Sequence, residues 1–268
     1  MSSPARRVAM LDSGLGGLTV LSALRALTSD TDVIYFADTA HVPYGGRELA
    51  DVARLGGAIV NRLLVHDPSV IVVASGTTCA AFDAEGWPAS PVPLVGIVNY
   101  GAAAAVEASS SGRIGVVATH GTVKSLVFER AIHKFRADAH VTSVAAPSLV
   151  PIVESGGWAS ARARDAVATV CGPLIRAGCD TVVLGCTHFP HLLAWFMAAL
   201  GEQIAIVDPG AACAAKVAQM IVGFGSSPGT MAFEVSGEKD EFAAHVLSLS
   251  GIRIDSLRKV ALKLNGTT

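Results

Sequence analysis

Charged side chains are scarce in this sequence. Only 16% of residues are Asp, Glu, Lys or Arg, and 20 basic against 22 acidic residues leave a net charge of −2. That balance argues against a basic nucleic-acid surface, and no charge run suggests a tail. Long uncharged stretches such as Pro91–Val106 are broken by Gly, Asn and Pro, too irregular for a membrane span. The N-terminal "MSSPARRVAM" lacks a signal-peptide apolar region, because Val8–Leu11 is too short. Paired-cysteine motifs are missing as well. The five cysteines (Cys79, Cys171, Cys179, Cys186, Cys213) are odd in number, irregularly spaced and form no CxxC. That argues against a disulfide framework or a structural zinc site and fits a reduced, cytoplasmic enzyme.

What is abundant is apolar: 51% of the 268 residues, enough for one large or two modest domains. Short β-branched runs alternate with longer Ala/Leu-rich segments. The runs predict strands at Val8–Leu11, Val33–Ala37, Val70–Ala74, Leu94–Val98, Arg113–Ala118, His140–Val144, Thr181–Leu184 and Ile204–Val207. Helices are predicted at Leu18–Leu27, Glu48–Val65, Val123–Phe135, Ala161–Ala177 and Ala211–Ile221. A final βα unit is expected from Met231–Val235 and Glu241–Ser248. Near-continuous apolar strands alternating with helices imply an α/β fold with largely parallel sheets covered on both faces.

The chain also repeats itself. "RVAMLDSG" (7–14) resembles "RIGVVATH" (113–120), "VVAS" (72–75) matches the run ending at Cys186, and "VGIVNYGAAAA" (95–105) resembles "IAIVDPGAACA" (204–214). These similar spacings predict two similar tandem α/β domains with the active site in the cleft between them. The first domain is expected to comprise residues 1–98 plus 210–268, the tail packing back on it, and the second residues 99–209.

Four strand ends carry small polar residues: "LDSGLGG" (11–17), "ASGTT" (74–78), "ATHGT" (118–122) and "GCTHFP" (185–190). Ligands in open α/β sheets bind beyond the carboxyl ends of strands, where helix N-termini favour anions. The hydroxyls of Ser13, Ser75, Thr77, Thr78, Thr119, Thr122 and Thr187 describe a tight hydrogen-bonding pocket for a small anion such as a carboxylate. "DSGLGG" is a poor dinucleotide fingerprint, because a GxGxxG starting at Gly14 needs its last glycine where Thr19 stands. Asp12 would also set a carboxylate beside a pyrophosphate. An acid–base role for Asp12 fits better than a plain strand-to-helix turn.

"GCTHFP" is the sharpest local signal. Cys186 stands at a strand end before a helix beginning near Pro190, where a helix N-terminus lowers a thiol's pKa from about 8.5. His188 is placed to exchange a proton with it. A metal there would need two further ligands, and no His/Cys cluster supplies them. Cys79, a helical turn past Ser75, is expected to point away from the pocket mouth, and Cys171, Cys179 and Cys213 read as core. Pro43, Tyr44 and Gly45, in the polar loop "YFADTAHVPYGGRE" (35–48), are placed to cover a pocket.

Together "LDSGLGGLTVL", "IYFADTAHVPYG", "RIGVVATHGTVKS", "FERAI", "LVPIVESG", "DTVVLGCTHFP" and "IVDPGAA" resemble the glutamate racemases, in order and over nearly the whole chain. The resemblance implies cofactor-independent interconversion of L- and D-glutamate for peptidoglycan, no metal, and a homodimer. It also implies a thiol on each side of the substrate, one removing the Cα proton and the other delivering one to the opposite face. By position, Cys186 matches the second thiol, Asp12 and His188 the residues assisting the two thiols, and Glu154 a carboxylate near that histidine. Ser13, Tyr44, Gly45, Gly76, Thr77, Thr119, Thr122, Thr187 and His188 match substrate-contacting loops. The departure is at the centre of the chemistry. Where the family's first cysteine opens Cys-Asn-Thr, this chain has Ser75-Gly76-Thr77. A hydroxyl is far less acidic than a thiol, so almost none of it is ionised near neutral pH. Three readings follow: a glutamate racemase impaired at Ser75; a working racemase in which Cys79 or a water held by Asp12 substitutes; or a single-thiol decarboxylase-type enzyme or non-catalytic amino-acid-binding protein.

Overall fold

The computed structural model describes residues 7–221 and 229–263. Of the expected first domain, residues 1–6, 222–228 and 264–268 therefore lie outside the described residues. The chain runs β1 (Arg7–Asp12), α1 (Leu18–Leu27), β2 (Asp32–Ala37), α2 (Leu49–Leu64), β3 (Val70–Val73), α3 (Gly76–Glu85), β4 (Leu94–Gly96) and α4 (Ile97–Ala108). It continues through β5 (Arg113–Ala118), α5 (His120–Lys124), α6 (Val127–Phe135), β6 (His140–Ala145), α7 (Leu149–Glu154), α8 (Ala161–Arg176) and β7 (Thr181–Leu184). A 3₁₀ turn (Phe189–Leu192), α9 (Leu193–Leu200), β8 (Ala205–Val207), α10 (Pro209–Met220), β9 (Met231–Val235), α11 (Lys239–Ser250) and β10 (Ser256–Lys259) complete it.

Two sheets result, ordered β10-β9-β2-β1-β3-β4 and β6-β5-β7-β8, with every described pairing parallel. The inner strands β3 and β7 are buried along their whole length, as their unbroken β-branched runs require. The order β2-β1-β3-β4 repeats as β6-β5-β7-β8, so the internal sequence repeat is a repeat of sheet topology. Strands β9 and β10 extend the first sheet beyond β2. Helix α2 buries Val52, Leu55, Gly56, Ile59, Val60 and Leu63, one stripe at the helical period, and α8 does the same through Val167, Val170, Cys171 and Leu174.

Three predicted elements differ. The helix expected over 123–135 is two helices. Ser125 accepts from Val127 N and donates to the Thr122 carbonyl, and Leu126 takes the left-handed conformation (φ 58°), so the hydroxyl ends one helix as the next begins. The strand expected over 94–98 stops at Gly96; Ile97 and Val98 are buried in the first turn of α4, the ambiguity inherent in a short apolar run. The last unit is βαβ, because "SLRK" pairs with β9 as a polar edge strand that carries no apolar alternation to read.

Helices α4 and α10 tie the sheets together by crossing over. Helix α4 leaves the first sheet yet packs on β7, β8 and α6, while α10 leaves the second sheet and packs on α1. They meet where Gly101 faces Pro209 so closely that a Cβ at 101 would lie 2.6 Å from the proline Cβ. Replacing Gly101 by Val should therefore cost about 1–3 kcal/mol by overpacking, read as a lower urea midpoint at unchanged slope. An unaltered midpoint would show that the junction is loose.

Candidate active site

Parallel strands deliver all their carboxyl ends to one edge of each sheet, and those two edges face each other. Ser75 begins α3 as its cap, its Oγ accepting from Thr78 N at 3.2 Å, and Thr119 caps α5 by accepting from Thr122 N at 3.3 Å. Facing loops then bond directly. Thr77 and Thr119 hydroxyls lie 3.0 Å apart, Thr119 and Thr122 hydroxyls 2.9 Å apart, and Gly121 N donates to Gly45 O at 3.0 Å. On the other side, Thr187 Oγ1 donates to Asp12 Oδ2 at 3.2 Å and Thr19 Oγ1 donates to the Thr187 carbonyl at 3.2 Å. The threonine that breaks the dinucleotide pattern thus joins the two loops.

The thiol, imidazole and carboxylate named by sequence form a chain. Cys186 Sγ lies 3.7 Å from His188 Nδ1, and His188 Nε2 lies 2.5 Å from Glu154 Oε1. Burial opposes a charge on His188, but hydrogen bonds to Cys186 and Glu154, and the negative charges of both, carry its pKa well above the usual 6.5. Burial likewise works against ionised Glu154, and the bond and charge of His188 outweigh it, holding that carboxyl below its ordinary range. Glu154 also accepts from Leu15 N at 3.0 Å, which pins the β1–α1 loop to α7. The glycines of that loop allow the approach: a Cβ at Gly16 would lie 2.5 Å from His188 Nδ1 and one at Gly14 2.4 Å from Glu154 Oε1.

Asp12 is buried, and burial pushes its carboxyl up, opposed by the His188 charge and the N–H groups of Gly14 and Gly17. Its Oδ1 accepts from Gly14 N at 2.8 Å. Ser75 and Cys186 are 5% and 6% exposed and lie on opposing loops. Ser13 is buried beside Asp12. Pro43 follows a cis peptide bond, and Gly45 packs on Thr119. Tyr44, expected at the pocket, is buried, and its hydroxyl donates to Asp38 Oδ2 at 2.5 Å, which anchors its loop. Thr78 turns away from the loops, its methyl lying under Gly56 of α2. Cys79 is buried behind the site, its thiol pushed up to about 12 by burial. Cys171, Cys179 and Cys213 lie in the core.

Two participants were not singled out by sequence. One is the backbone of Leu15. The other is His191, in the 3₁₀ turn; burial and the nearby His188 charge lower its pKa to about 4. Its position five residues after Cys186 was the available signal. The helix expected from Pro190 opens as this four-residue 3₁₀ turn before α9. Among the described residues, no three His, Cys, Asp or Glu side chains converge as a metal site, and no helix is long and apolar enough to cross a membrane.

The family model for Asp/Glu/hydantoin racemases matches residues 18–217, from α1 through α10. The chain belongs to that family. A glutamate racemase of Symbiobacterium thermophilum is 38% identical over 243 residues, 88% of each chain. The crystal structure of a glutamate racemase isoform from Bacillus anthracis superposes with a TM-score of 0.92 at 29% identity, covering 97% of this chain and 99% of that one. The Escherichia coli glutamate racemase, solved in complex with L-glutamate and the activator UDP-MurNAc-Ala, gives 0.80 at 27% identity over 97% and 100%.

The pair His188–Glu154 has a definite pH signature. His188 is raised on folding, so its contribution is complete below about 6.5 and fades as pH climbs through its folded value. Glu154 is lowered, so its contribution is complete above about 4.5 and fades as pH falls through its folded value. Glu154→Gln should therefore cost most between pH 4.5 and 6.5, about 1–3 kcal/mol. NMR should show His188 titrating lower in that variant, with His191 neutral down to about pH 4. An unshifted His188 would break the link.

Proposed function

We propose that this chain binds glutamate in the cleft between residues 1–98 plus 210–268 and residues 99–209, and acts on its Cα–H bond without a cofactor. The crossing of α4 onto the second sheet and α10 onto the first supports those boundaries. The reaction is that of the glutamate racemases, impaired because sulfur reaches the substrate from one side only. The observation that carries this reading is the Cys186–His188–Glu154 chain opposite Ser75.

In this reading Cys186 is the working base and acid. His188, charged by its two partners, faces the sulfur and balances negative charge there. Glu154 positions His188, and Asp12, kept weakly acidic by burial, meets the substrate from the first half. Thr77, Thr119, Thr122 and Thr187 supply hydroxyls, and with Ser13, Pro43, Gly45 and Gly76 shape the pocket for the carboxylates. Tyr44 acts through its loop. Ser75 accepts a helix-capping bond, which leaves its O–H free to donate, but a neutral hydroxyl cannot take a proton from Cα. Cys79 does not replace it, since it lies behind the helix with its thiol held protonated.

Ser75→Cys should raise racemisation by about 100-fold or more, the range that a positioned acid–base group contributes; polarimetry or a D-glutamate assay measures it. In deuterated water the native chain should exchange the Cα proton of one glutamate enantiomer only, and Cys186→Ser should stop it. Equal exchange into both enantiomers would refute the one-sided site. A single thiol can also protonate the carbanion left by loss of CO2, so turnover of disubstituted malonates without glutamate exchange would favour a decarboxylase instead.

A further inference from the structure

The centre of the cleft is closed by backbone against backbone. Gly76, the residue after Ser75, faces Gly185, the residue before Cys186. A Cβ at 76 would stand 2.4 Å from the Gly185 carbonyl oxygen, while the next atoms, Gly185 C and Thr122 Oγ1, lie at 3.6 and 3.8 Å. One obstacle therefore decides what position 76 can hold, and it is not a side chain that can rotate away. Neither backbone can give way on its own, without the loops moving apart as wholes. Gly185 N donates to the Val117 carbonyl at 2.7 Å, extending the β5–β7 ladder, and a Cβ at 185 would run into Phe128, Ala118 and Val117. Gly76 is the first residue of α3, held by the Ser75 cap. Even alanine would need the loops to part by roughly 1 Å to reach ordinary contact distance.

We infer that Gly76 is an access-determining residue: its missing side chain lets the two loops seal over Cys186, so ligand enters only when they part, and the gap between Ser75 and Cys186 is set by this contact. The inference rests on the proposed glutamate site. It also gives the Gly76 departure from the family's Asn a consequence beyond a lost amide. In place of a side chain between the halves, this chain has direct closure.

Alkylation of Cys186 by iodoacetamide, followed by peptide mass spectrometry, tests it without turnover. In the native chain Cys186 should react at least about 100-fold more slowly than a free thiol, because only the opened form is attacked. Gly76→Ala should speed Cys186 labelling by about tenfold or more, and Gly76→Asn further. The other four cysteines, all buried, should stay unlabelled in both, which certifies folding. Native labelling near the free-thiol rate, or unchanged labelling in a folded Gly76→Ala, would overturn the seal. If neither variant folds, the native rate alone decides. Glutamate should slow Cys186 labelling in every folded variant. Accelerated labelling in Gly76→Ala without glutamate protection would leave the seal standing and sink the glutamate reading.

Discussion

The charged contact between His188 and Glu154 is the interaction on which the rest of the site depends. It is local chemistry and long-range architecture at once. His188 presents its other nitrogen to Cys186, so the ring that faces the sulfur is held by a carboxylate on its far side. Glu154 shares the same oxygen with Leu15 N, so that carboxylate also sets where the first half's loop rests. A buried pair of this kind is strained by desolvation on both sides and holds only because each charge meets the other. Remove one and the thiol loses its partner while the loop loses its anchor.

The fold makes such a contact possible by bringing strand ends together. In an all-parallel sheet every strand finishes on the same edge, and two such edges facing each other give loops of both sheets access to one small volume. The loops used are those with the smallest residues. Gly14 and Gly16 admit Glu154 and His188, and Gly45 admits Thr119. Gly14 and Gly16 of "DSGLGG" therefore record close packing against Glu154 and His188.

Much of this was legible in the residues. The internal repeat announced the doubled topology, since β1 and β5 occupy equivalent central places and Ser75 and Cys186 equivalent strand ends. Helix α1, strand β5, strand β7 and strand β9 were bounded correctly because each stops abruptly at Thr28, Thr119, Gly185 or Ser236. What escaped has physical reasons. The break at Leu126 is made by one serine hydroxyl, and hydroxyls have no periodicity. Strand β10 is polar because it lies at a sheet edge. The hydroxyl partner of Tyr44, Asp38, lies six residues back with nothing in the sequence to mark it. Leu15 acts through its backbone N–H on Glu154, and backbone contacts between distant segments leave no trace in side-chain type.

The exchanged helices carry a last consequence. Because α4 and α10 each lie on the sheet they do not follow, the two connections between halves are not slack tethers. They are rigid rods laid side by side, touching at Gly101 and Pro209. The outgoing and the returning segment therefore meet at a single pair of residues, and a change at either one bears on both crossings at once.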